Sequence, residues 1–202
     1  RGLYMSGQFS DQIDLDPGTG TTQFSNEGEY YFSDGFLARY NLDDGSLVWA
    51  RQFIDASGWS SSSIGVDRSG IYLTGHFYGT TDFDPGRGTA FLTAQYEDVF
   101  LAKYSLNGDH IWSQSMGGYY YDTAWGLLVD RTGIYIHGYY SWGNDFDPGF
   151  GYYTLEGEGG FFGRYNSDNG NLIYIKKIGN GTIYSLASYR NELYLGGDFY
   201  GI

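Results

Sequence analysis

The chain has 202 residues, 41% of them hydrophobic, enough for a domain with a buried core and too apolar for a disordered tail. Its 11 basic and 24 acidic residues give a formal charge of −13, which makes phosphate backbones and anionic lipid poor partners and favours cations, neutral glycans or other proteins. There is no cysteine, which removes disulfides, thiolate metal sites and a cysteine nucleophile.

In chain order, "GLYMSGQF" reads as a strand and is followed by the loop "QIDLDPGTG". "GFLARYNLDDGSLVWARQF" then reads as two strands joined by an Asp-Asp-Gly turn. "SIGVDRSGIYLTGHFY" gives two more, joined at "DRSG", and leads into a second loop, "TTDFDPGRG". The pattern returns with "VFLAKYSLNGDHIWSQSM", "GLLVDRTGIYIHGYY", the loop "GNDFDPGFG", "GFFGRYNSDNGNLIYIKKI", and a final pair, "LASYRN" and "LYLGGDFY". Helix is disfavoured, because apolar residues rarely recur at helical spacing without an intervening glycine.

Tyr4, Tyr72, Tyr135 and Tyr194 align these segments at spacings of 68, 63 and 59 residues. The 3 prolines, Pro17, Pro85 and Pro148, all stand in one D-x-D-P-G frame. Each unit reads as four short strands, a to d in chain order. The expected fold is therefore all-β: four-stranded antiparallel β-propeller blades, with repeats at 1–70, 71–133 and 134–191 and a partial one at 192–202. Counting b-c-d, two complete sets and a final a-b gives about 13 strands, fewer than a closed ring needs. The expectation is an incomplete ring or part of a larger propeller, with open edges that meet further blades or other copies.

"DFDPG", "VFLAKYSLNGDHIWS" and "GLLVDRTGIYIHG" together resemble the bacterial β-propeller repeat known as the SBBP repeat, found in secreted and surface proteins of Bacteroidota. The resemblance spans almost the whole chain and implies an extracellular, non-catalytic propeller module. It is weakest in the third unit, where "FFGRYN" replaces "FLAKYS" and "LASYRN" replaces "LLVDRT". Abundant glycine and tyrosine with few lysines independently fit an extracellular or cell-surface location. No apolar run approaches the roughly 20 residues of a membrane helix.

Antiparallel succession places the a–b and c–d turns on one face and the b–c and d–a connections on the other. The D-x-D-P-G loops lie in b–c. Their main reading is a type II turn, with Pro and Gly at the central positions and the second Asp accepting backbone N–H groups. In the alternative, Asp14 and Asp16, Asp82 and Asp84, and Asp145 and Asp147 each present two carboxylates to calcium. Trp49, Trp112 and Tyr174 recur at one strand-d position and read as core. Trp59, Tyr119, Tyr120, Tyr121, Trp125 and Trp142 recur less regularly and are candidates for stacking on glycan. "DTA" marks Thr123 and "NGT" marks Asn180 as candidate glycosylation sites. His76, His110 and His137 stand at unlike places and no catalytic motif occurs, so a non-enzymatic scaffold for protein binding or self-assembly is expected. A calcium-assisted, glycan-binding propeller is the second reading.

Overall fold

A computed structural model describes residues 2–26, 33–54, 58–149, 151–179, 181–190 and 192–200. Among them the chain forms 16 strands and no helix. The first unit holds β1 (Gly2–Phe9), a small hairpin of β2 (Gln12–Asp14) and β3 (Gln23–Ser25), then β4 (Asp34–Asn41) and β5 (Leu47–Phe53). The second holds β6 (Ser60–Val66), β7 (Ile71–Asp82), β8 (Phe91–Tyr104) and β9 (His110–Gly118). The third holds β10 (Thr123–Asp130), β11 (Gly133–Tyr140), β12 (Asn144–Asp145), β13 (Gly159–Tyr165) and β14 (Leu172–Lys177). Strands β15 (Thr182–Tyr189) and β16 (Glu192–Asp198) end the series.

The sheets are β1-β4-β5, β6-β7-β8-β9, β10-β11-β13-β14 and β15-β16, all antiparallel, with the short β12 added outside β9. These are the expected b-c-d, a-b-c-d, a-b-c-d and a-b sets. The described residues close no ring. The aligned tyrosines hold one register: Tyr4 faces Arg39, Tyr72 faces Lys103 and Tyr135 faces Arg164. Each of these cations lies over its tyrosine ring, 5.2 to 5.9 Å from the centroid. On the next strand stand Trp49, Trp112 and Tyr174, opposite the same three cations. Tyr194, facing Ala187, occupies the place that Tyr72 holds against Gly65.

Successive sheets stack, and strand alternation divides the core accordingly. Ile71, Leu73, Phe100, Ala102 and Tyr104 of the second sheet meet Leu37 and Phe53 of the first. Their neighbours Tyr72, Val99 and Leu101 point the other way, to Ile134, Ile136, Phe161 and Ile175 of the third. The second sheet is thus buried on both faces, which explains its near-continuous apolar runs "IYL" and "VFLA".

Strand a carries a bulge in three units, at Ser61/Ser63, Ala124/Gly126 and Ile183/Ser185. Opposite it stands Gly75, Gly138 or Gly197, where a Cβ would overlap the carbonyl oxygen of Ser60, Thr123 or Thr182. The bulge brings strand a so close that only glycine fits there.

Candidate functional site: the loop face

The three D-x-D-P-G loops are built alike. Oδ1 of the first aspartate accepts two backbone N–H groups, from Asp16 and Thr22 at Asp14, from Asp84 and Ala90 at Asp82, and from Asp147 and Tyr153 at Asp145, over 2.7 to 3.0 Å. Oδ1 of the second accepts the N–H of Gly18, Gly86 or Gly149 at 2.8 to 2.9 Å. The residue between them, Leu15, Phe83 or Phe146, is buried, and its carbonyl accepts the hydroxyl of Tyr40, Tyr104 or Tyr165. The type II turn is corrected here: none of Gly18, Gly86 and Gly149 has positive φ. The aspartate side chain itself closes the turn, as an Asx turn, and that demands no left-handed glycine.

One oxygen of every D-x-D carboxylate is therefore committed to its own loop. The N–H groups of Asp16 and Thr22 hold the Asp14 carboxyl below its ordinary range, as expected for an anion satisfied by the backbone. Among the described residues, no three acidic or histidine side chains gather closely enough to hold a metal by themselves.

Of the stacking candidates, Trp59 is corrected. It is 1% exposed and stacks between Phe53 and Phe100 with centroids 5.0 and 5.5 Å away, so it is core between the first two sheets. The others reach solvent. Tyr119, Tyr120, Tyr121 and Trp142 are 51 to 74% exposed, and Trp125, the extra residue of the β10 bulge, stacks on Tyr139. Tyr119 of the d–a connection reaches Gly143 of the b–c loop. Tyr121 meets Tyr96 edge-on, with hydroxyls 3.0 Å apart, and Tyr78 packs on Tyr96 and donates to the Glu97 carboxylate. Both kinds of long connection therefore meet on one face.

Of the glycosylation candidates, Thr123 lies in β10, half-buried, with its hydroxyl oxygen 2.9 Å from His76 Nδ1. Asn180 lies outside the described residues. The histidines are scattered: His76 bonds Thr123, His110 bonds Ser113, and His137 is buried with its pKa lowered by desolvation.

Close to the tyrosines lie two carboxylates that belong to none of the sequence motifs. Asp98 on β8 and Asp122 in the β9–β10 connection are 5% and 0% exposed. Asp98 Oδ2 accepts the Gln95 N–H at 3.2 Å, and Asp122 Oδ1 the Ser141 N–H at 3.0 Å. Asp98 Oδ1 and Asp122 Oδ2 are buried and complete no well-aligned hydrogen bond, with the Gly118 N–H the one donor near both carboxylates. Burial pushes the Asp98 carboxyl up to about 6, against the N–H groups of Gln95 and Gly118. Burial pushes Asp122 up to about 7; the N–H groups of Ser141 and Gly118 oppose this, and the charges of Asp98 and Glu97 add to it. Aligning "SDGF" with "EDVF" would have marked Asp98 as recurrent, but nothing in the sequence joins it to Asp122. No protein-family model matches the chain, and no curated protein matches its sequence significantly.

Proposed function

We propose that the chain is a non-catalytic scaffold of propeller blades, from an extracellular or cell-surface protein, that engages a protein partner or a second copy through its loop face. Repetition of the contacts between sheets supports the blade reading. Trp49 of β5 lies against Gly108 in the next unit's c–d turn, and Trp112 of β9 lies likewise against Gly170. Arg51 and Gln114 donate to the carbonyls of Asn107 and Asn169 in the same two turns. Strands β6, β10 and β15, the a strands of the second, third and last units, lie side by side. One relation between neighbours, applied again and again, is how a propeller is assembled.

The observation that carries the function is the contrast between the two faces. On one, the short turns close on their own hydrogen bonds, as Asp67 does with Ser69 and Asp130 with Thr132. On the other, the D-x-D-P-G loops, closed by their own aspartates, frame a surface that exposes the rings of Tyr96, Tyr119, Tyr120, Tyr121 and Trp142. Rings held rigidly are low-entropy contact area for a partner. The test is a photo-crosslinking side chain at Tyr120, and at Arg68 on the opposite face, in the cells that make the protein. Crosslinks to one protein species, or to a second copy, from Tyr120 and not from Arg68 are expected; equal or absent crosslinking from both positions counts against the proposal.

The same rings favour a second reading, glycan binding, because the Tyr96–Tyr121 pair offers faces and hydroxyls together. A glycan array on the parent and on a Tyr120→Ser, Trp142→Ser variant separates the two, since only a lectin gives binding that the variant loses.

A further inference from the structure

We infer that Asp98 and Asp122 hold a hard divalent cation of the calcium class between β8 and the β9–β10 connection. Asp34 and Asp98 occupy one register position, opposite Phe9 and Phe77. In the first unit, Asp34 is buried and its Oδ2 accepts the amide of Gln52 at 2.7 Å. In the second, Ser115 stands where Gln52 does, facing Phe100 as Gln52 faces Phe36. The group brought to Asp98 is a second carboxylate, Asp122.

The two buried oxygens converge on Gly117. A Cβ there would lie 2.6 Å from Asp98 Oδ1 and 3.1 Å from Asp122 Oδ2, so a side chain at 117 would close the space between them. The remaining oxygens are turned away to N–H donors, Gln95 for Asp98 and Ser141 for Asp122. Glu97 is engaged by the Tyr78 hydroxyl, and its carbonyl accepts the Asp122 N–H at 2.9 Å, which fixes the connection in place. The Gly118 N–H is one donor for two carboxylates, and two buried anionic oxygens facing each other are costly. Positive charge between them relieves that cost, and a cation supplies it.

The donor set is oxygen alone, which selects a hard cation over zinc or copper. Two carboxylates fall short of the 6–8 oxygens that calcium takes, so backbone carbonyls and water must complete the shell. The outer D-x-D carboxylates are a poorer site, because their Oδ1 atoms already serve their own loops.

Terbium, a calcium surrogate excited through nearby tyrosine, reads the site directly in the parent chain at neutral pH. Sensitised emission that calcium displaces is expected. Asp98→Asn with Asp122→Asn should weaken terbium binding by about tenfold or more, whereas Asp82→Asn with Asp84→Asn should leave it unchanged. Melting curves in EDTA and in calcium provide the second readout, with the parent shifted upward by calcium and the Asp98/Asp122 variant unshifted. If the double variant does not fold, Asp98→Asn alone replaces it. Superposable parent melts, or emission lost only in the Asp82/Asp84 variant, would overturn the inference. So would a stability that falls as pH rises through about 6 to 7 with no response to calcium, because that is a proton shared by the pair.

Discussion

His137 shows how one buried side chain ties stability to pH. It is 3% exposed on β11, its Nδ1 has no partner, and desolvation lowers its pKa against the opposing hydrogen bond with Ile183. A base with a lowered folded pKa takes its proton more readily in the unfolded chain. Its contribution is therefore complete above its ordinary value of 6.5 and is lost as pH falls below it. Urea melts of the parent and of His137→Gln, from about pH 8 to about pH 5, should show the parent losing more stability than the variant on acidification. Parallel pH profiles would mean that His137 binds its proton equally in the folded and the unfolded chain, against a lowered folded pKa. At this scale a tryptophan and a buried aspartate are the residues hardest to read. Trp59 beside Gly58 looks like a loop ring fit for stacking, and only the neighbouring sheet makes it core.

At the scale of the element, the D-x-D-P-G loop is a closed unit. Asp82 Oδ1 carries two N–H groups, the Asp84 Oδ1 carries one, and Phe83 is anchored in the core beneath them. Asp82→Ala leaves both N–H donors without their acceptor and should cost about 2 kcal/mol in a urea melt. Asp82→Asn keeps an acceptor oxygen and should cost less than half of that. Equal losses for the two would point to a role for the negative charge, as at a metal. The loops and their spacing were legible because every bond in them joins residues close along the chain. The turn type was misread for a related reason: Pro-Gly fits type II on backbone preference alone, and the aspartate side chain offered a competing closure.

In the whole molecule, stability is shared between sheets. Trp112, half-buried, joins the second sheet to the third by packing on Gly170 beside the Gln114 bond to Asn169. Trp112→Ala should cost about 2 kcal/mol and, in hydrogen exchange, reduce protection in both sheets. Loss confined to β8 and β9 would mean that the sheets open independently. Taken alone, the sequence determined the all-β class, the order of strands within each unit, the shared register of Tyr4, Tyr72, Tyr135 and Tyr194, and the face that carries the long connections. Those features follow from alternation, turn chemistry and repetition, which act between neighbours in the chain. Only the tertiary structure decided that Trp59 is buried, that Thr123 is tied to His76, and that Asp98 and Asp122 face each other. Each of those depends on which sheet stacks on which and where a connection returns, and burial then sets the cost of leaving a polar group without a partner.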